Sequence, residues 1–222
     1  MPPLYRGHIP TTSAQKVVVA GAAAVRALAN PARADMIAAL GEVTGRVALE
    51  RLRSRLRSSE GGRRLLAERP VVTSAIDTRG CPPGSFGAAY EAFLSRHRFD
   101  PDDRSPVALV DDEELAYVVL RYRQVHDFWH VLCGLPPTVL GELGLKWFEL
   151  VQTGLPVAAL SAVFGPLRLG PRQRAKLATK YIPWALREGQ RATLLLSVHY
   201  EAELETPLDA LRASLSLTPA PK

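Results

Sequence analysis

The sequence predicts an all-α fold, a single multi-helix domain with a helical hairpin at its centre. Three observations carry this. Apolar residues recur at the helical period through most of the 222 residues. The β-like stretch Val71 to Ile76 leads only into the turn-forming Cys81-Pro82-Pro83-Gly84 and reads as an extended linker. Two long amphipathic segments, 111–133 and 137–153, are separated by a short Gly/Pro link, which forces an antiparallel pair.

In chain order, residues 1–12 read as an extended arm, 13–217 as one all-helical domain and 218–222 as a disordered tail. The first helix runs from a cap at Ser13 to Ala29 and stops at Asn30-Pro31. Helices over Ala34 to Leu40 and Thr44 to Ser58 follow, set apart by Gly41 and Gly45, then a shorter one from Gly62 to Glu68. Ser85 to Arg98 is helical again and ends in the turn-rich 100–106. Asp111, with Glu114 three residues on, outlines a capping box for the next helix, which Gly134 and Pro136 stop. Its partner starts at Pro137-Thr138 and stops at Gly154-Leu155-Pro156. An apolar helix from Pro156, a basic helix from Pro171 to about Glu188 kinked at Pro183, and a last helix from about Ala192, interrupted by Pro207, complete the chain.

Composition sets bounds. At 47% hydrophobic the chain can bury one sizeable core. Val17 to Ala29 is broken by Arg26 and Leu155 to Phe164 is too short, so neither spans a bilayer, and the protein reads as soluble or peripheral. Two cysteines, Cys81 and Cys133, fit a reducing compartment. The net charge of +6 suggests nucleic acid, but Arg51, Arg53, Arg55, Arg57, Arg63 and Arg64 interleave with leucines as the solvated side of amphipathic helices, and no nucleic-acid motif is present. An anionic membrane surface is the better partner for these arginines.

The richest stretch is Val125-His126-Asp127-Phe128-Trp129-His130, followed by Glu142. At roughly 100° per residue, His126, Asp127 and His130 leave one helix face, and it continues the apolar row Leu115, Val119, Tyr122. Glu142, early in the second helix of the hairpin, lies opposite His130 across the link. Two imidazoles and two carboxylates suit Zn²⁺, with Mn²⁺ or Fe²⁺ less suited. The fold class therefore sharpens to an all-α domain with a central metal-binding hairpin. Cys133, one turn past His130, is read as a buried thiol that could also contact the site.

The spacing His-Asp-x-x-His, then eleven residues, then Glu, resembles the zinc motif of the coenzyme Q biosynthesis protein 4 family. Flanking segments match as well: Leu4-Tyr5-Arg6-Gly7-His8-Ile9-Pro10, Asp111 to Tyr117, Lys146-Trp147-Phe148-Glu149, Gln152 to Pro156, and Phe164 to Leu169. The resemblance implies zinc held by His126, Asp127, His130 and Glu142. It implies a polyprenylated 4-hydroxybenzoate substrate that loses its C1 carboxyl group, with or without accompanying hydroxylation. It also implies association with the other ubiquinone-biosynthesis enzymes on the matrix face of the mitochondrial inner membrane, homodimer formation being left open. Animal members begin with a targeting presequence, whereas Met1-Pro2-Pro3 leads straight into the first shared segment, so the chain reads as a mature, trimmed or alternatively started form.

Two further residues are catalytic candidates. Arg123, one turn before Asp127, would either pair with it or hold the substrate carboxylate through two parallel hydrogen bonds, and Tyr122 would donate a proton or serve as core. The helix from Leu155 to Phe164, rich in small residues, either lines a groove for the prenyl tail or is plain core. Three function classes compete: a zinc-dependent lyase, a lipid-binding scaffold with structural zinc, and a His-Asp phosphohydrolase drawing on His97 and Asp209.

Overall fold

The computed structural model describes residues 3–29, 34–74, 76–104 and 106–222. Eleven α-helices are seen among them: α1 Ser13–Ala29, α2 Ala34–Thr44, α3 Arg46–Ser58, α4 Glu60–Glu68, α5 Phe86–His97, α6 Glu113–Cys133, α7 Val139–Thr153, α8 Pro156–Phe164, α9 Pro171–Lys176, α10 Ile182–Arg191 and α11 Leu208–Ser214. No β-strand forms among the described residues; Ser85 and Pro207 make one isolated bridge. The expected stop at Asn30-Pro31 lies outside the described residues.

α6 is the axis of the domain. Its residues are buried on nearly every side, with Val125, Phe128, Trp129 and Leu132 wholly enclosed, and α3, α4, α5 and α7 pack around it. Phe86, Tyr90, Phe128 and Tyr200 form an aromatic cluster beneath it, offset and edge-on as ring quadrupoles favour. Arg121 is buried inside the core, held on two sides by Glu201 and by Val198 O at 3.0 Å. α7 packs on α10 and α8, and α2 joins α1 to α8.

Several local expectations shift. The N-cap of α6 is Asp112, which accepts from Leu115 N–H at 2.9 Å, while Asp111 receives His8 and Lys16 and so fastens the N-terminal arm. The arm is docked: Ile9 N–H donates to Ala108 O and the Tyr5 hydroxyl to Val110 O. α2 runs through Gly41 to Thr44. α9 and α10 are joined by a π-helical turn at Leu177–Tyr181, just before Pro183; the wider turn accommodates the missing proline N–H.

The helix expected from Ala192 is replaced by 3-10 turns at Leu195–Ser197 and Tyr200–Ala202. The buried Gln152 side chain explains it, donating to Gly189 O and Ala192 O and accepting from Leu195 N–H, so backbone groups that would build a helix bond elsewhere. The C-terminal tail, expected to be disordered, is fastened too. Thr218 N–H donates to Glu188, the Trp184 indole to Thr218 O, and Ala220 N–H to Cys133 O.

Candidate metal centre

The link between α6 and α7 sets the site. Gly134, at φ +66°, adopts the left-handed turn that ends α6, and the next residue folds back so that Leu135 N–H reaches His130 O. The same fold brings Leu135 O to 2.9 Å from His130 Nδ1. Thr138 caps α7 by accepting from Gly141 N–H. Gly141 must be glycine because a Cβ there would lie 2.0 Å from Pro136 O, and that close approach seats Glu142 over α6. Glu142, Lys146 and Glu149 recur at i, i+4 and i+7, a single stripe along α7.

His126, His130 and Glu142 converge, with one potential ligand atom from each within 4.8 Å of the others. His130 Nε2 lies 3.0 Å from Glu142 Oε1, and His126 Nε2 lies 3.4 Å from Glu142 Oε2. The imidazole orientations are set from behind. His126 Nδ1 is 2.7 Å from Glu149 Oε1, and His130 Nδ1 faces a carbonyl that can only accept. In the neutral rings both protons therefore sit on Nδ1, and both Nε2 lone pairs point at the Glu142 carboxylate. Lone pairs against an anion repel, and the buried His130 Nε2 makes no hydrogen bond of good geometry. A cation between them removes the conflict. Carboxylate or carbonyl behind each imidazole is also the backing that metal-bound histidines have, so the residues fit a divalent metal, zinc first by its two nitrogens and one carboxylate.

Without a metal the pocket instead draws a proton onto His126, so its electrostatics favour positive charge beside Glu142. Burial and the Lys146 ammonium act to lower the His126 pKa, but Glu149 and Glu142 outweigh them and lift it to about 9. Burial would raise Glu142, yet the two imidazoles hold it well below the usual carboxylate range. Behind His126, the fully buried Glu149 accepts from the Tyr122 hydroxyl and from Lys146 Nζ at 2.7 Å. Burial pushes Glu149 up, and Lys146 and His126 bring it down to about 2.

Asp127 does not join the three. Its carboxylate pairs with Arg104 from the loop before α6. Arg123 neither pairs with Asp127 nor faces the hairpin site: it binds Glu42 of α2 at 2.6 Å and Pro106 O at 3.1 Å, because its long side chain leaves the helix toward α2. Tyr122 stands behind the histidines as a support for Glu149, its hydroxyl buried and its pKa raised by burial first and then by Glu149. Cys133 is wholly enclosed. His97 packs with Phe93 and Phe99, and Asp209 is an exposed partner of Arg212, so the phosphohydrolase constellation is not assembled. A cavity of about 390 Å³ beside Lys16, Glu42 and Leu115 lies at the far end of α6, roughly 20 Å from His130 at 1.5 Å per residue.

Sequence reasoning gave no site role to Glu149, Lys146 or Arg104. The seven-residue step from Glu142 to Glu149 was a usable signal, since two turns return a side chain to the same face. Arg104, 23 residues before its partner, carried none.

The fold and site together define an all-helical protein with a two-histidine, one-carboxylate pocket on an internal hairpin. The chain matches the profile of Coenzyme Q (ubiquinone) biosynthesis protein Coq4 over residues 5–221 and belongs to that family. It is 49% identical to the bovine mitochondrial ubiquinone biosynthesis protein COQ4 homolog, over 98% of this chain and 84% of the relative. The human homolog is 48% identical, over 99% and 84%, and the Schizosaccharomyces japonicus protein 42%, over 98% and 93%. A crystal structure from Nostoc punctiforme PCC 73102, described under ubiquinone biosynthesis, superposes with a TM-score of 0.70 over 93% of this chain and 98% of the other at 21% identity, which supports the all-α fold. The family places this chain in ubiquinone biosynthesis.

Proposed function

We propose that the chain removes the C1 carboxyl group of a polyprenylated 4-hydroxybenzoate at a zinc centre, on the matrix face of the mitochondrial inner membrane and in company with the other enzymes of ubiquinone synthesis. The single observation that carries a catalytic reading is the ligand count. His126, His130 and Glu142 converge while Arg104 holds Asp127 aside, so three protein groups would hold the ion and a position would stay open, as in catalytic rather than structural zinc sites. When bound, zinc supplies a Lewis acid without redox change. The chain's own groups do the rest. Leu135 O and Glu149 fix both imidazoles, and Tyr122 and Lys146 fix Glu149. The Glu142 side chain, 36% exposed, marks the side from which substrate and solvent reach the site. As the ring–carboxyl bond breaks, CO₂ leaves and the ring carbon takes a proton in its place. The relatives' names carry the mitochondrial location, and no helix among the described residues is long and apolar enough to cross a membrane.

A second reading, a non-catalytic zinc-containing lipid-binding scaffold, draws on Asp127: released from Arg104, it would give a closed four-ligand structural site. Purified zinc-loaded protein incubated with a prenylated 4-hydroxybenzoate separates the two. CO₂ release that His130→Ala abolishes supports the lyase; a zinc-replete protein with no turnover supports the scaffold.

A further inference from the structure

α8 is built inside out. It buries its small residues, Ala158 and Ala162, at 0% and 1% exposure against the domain, one turn apart on one face. Val157 packs against the core, but the other large residues face outward: Leu160 is 40% exposed, Val163 62% and Phe164 48%. Leu167, in the 3-10 turn Gly165–Arg168 that follows, is 74% exposed. A helix stabilised only by its own domain would place these side chains the other way round, and a contiguous exposed apolar face marks a contact surface.

The chain that forms this face is basic. Residues 151–187 hold six Lys and Arg and no Asp or Glu, and of the six Arg187 pairs with Glu188 just beyond the segment. Arg168, Arg172 and Arg174 follow the apolar turn and are exposed, and Arg174 donates to Pro166 O at 3.0 Å, fixing a cation beside Leu167. Of the six arginines of α3 and α4 expected at lipid, three are neutralised: Arg53 pairs with Asp112, Arg57 with Glu114 and Arg64 with Glu68.

We propose that α8 and the turn after it insert Leu160, Val163, Phe164 and Leu167 into an anionic bilayer, with Arg168, Arg172 and Arg174 on the headgroups. Apolar insertion flanked by cations is what interfacial binding needs, and cations near anionic lipid add to it. The surface touches the metal hairpin: Gly165 lies so close to Leu143 that a Cβ would meet its side chain at 2.1 Å, and Leu143 follows Glu142. A prenylated substrate held in the bilayer would thus meet the protein on the face next to its site. This inference rests on the membrane-associated reading above and adds the surface that makes the contact.

The test is sedimentation of the full chain with phosphatidylcholine vesicles, with and without one-fifth phosphatidylglycerol. The wild type is expected to bind the anionic vesicles at least tenfold tighter than the neutral ones. Phe164→Ser/Leu167→Glu and, separately, Arg168→Glu/Arg172→Glu should each weaken anionic binding at least tenfold with melting temperature and metal content unchanged. Val17→Ser/Val18→Ser on α1, equally exposed, should leave it unchanged. Wild-type binding that both α8-region variants retain would overturn the surface while leaving membrane association intact, and the face would then await a protein partner. Failure of the wild type to bind either vesicle would overturn the membrane reading together with the proposal.

Discussion

Glu149 is the hinge between the core and the metal pocket, and Glu149→Gln tests that role. The carboxylate is wholly enclosed and accepts from Tyr122, Lys146 and His126. Gln keeps the shape and some hydrogen bonding but removes the charge, leaving the Lys146 ammonium, 19% exposed, without its counter-ion. Removing one partner of a buried pair costs about 3–5 kcal/mol, and the partial exposure of Lys146 reduces this to about 2–4 kcal/mol. For a domain of this size that corresponds to a fall in Tm of about 5–15 °C, read on the metal-free protein by circular dichroism. The second effect is on the metal: without a charged acceptor at Nδ1, His126 becomes a weaker and less well-oriented ligand, and zinc affinity should fall about 10–100-fold. Competition with a chromophoric chelator measures it. A Tm within about 2 °C of the wild type, together with unchanged zinc affinity, would mean that Glu149 supports neither the core nor the pocket.

Further outcomes follow from other parts of the molecule. Burial acts to raise the Glu188 carboxyl, but Thr218 N–H, Arg187 and Arg191 outweigh it and hold its pKa below the ordinary value. A depressed folded pKa contributes stability above the unfolded value of 4.5 that is lost as pH falls below it, so Glu188→Gln should flatten the acid limb of the stability curve and loosen the tail, seen as a change in fluorescence from Trp184. Asp112→Ala should lose about 1–2 kcal/mol through the α6 cap and the Arg53 pair, measured by urea titration; Asp111→Ala should instead free the N-terminal arm and speed its proteolysis. Arg123→Gln should lower stability by about 1–3 kcal/mol through the partly unpaired, buried Glu42, while zinc content stays at the wild-type level, since its partners lie on α2 and near Pro106.

The sequence carried the helical hairpin because its signals are local. Thr138, Gly134 and Gly154 act within a few residues of themselves, and the His126, His130 and Glu142 spacing follows from helix geometry and one short link. What was not legible depends on distant contacts. The periodicity that places Arg123 one turn from Asp127 says nothing of α2, whose Glu42 captures it, nor of Arg104, which reaches Asp127 from a loop. The 3-10 turns after α10 exist because Gln152, some forty residues earlier in the chain, takes their backbone groups. The tail is ordered because Glu188 and Trp184 offer an acceptor and a donor to residues with no periodicity of their own.

Everything proposed for the hairpin depends on His126, His130 and Glu142 holding one divalent metal ion. Its most direct test is elemental analysis of the purified chain beside His130→Ala and Glu142→Ala, with circular dichroism confirming that each variant keeps its helices. About one zinc per wild-type chain is expected, as a single three-ligand site holds, with a large loss in both variants. Full zinc content in both variants, or a wild type that holds no divalent metal after reconstitution, would contradict it.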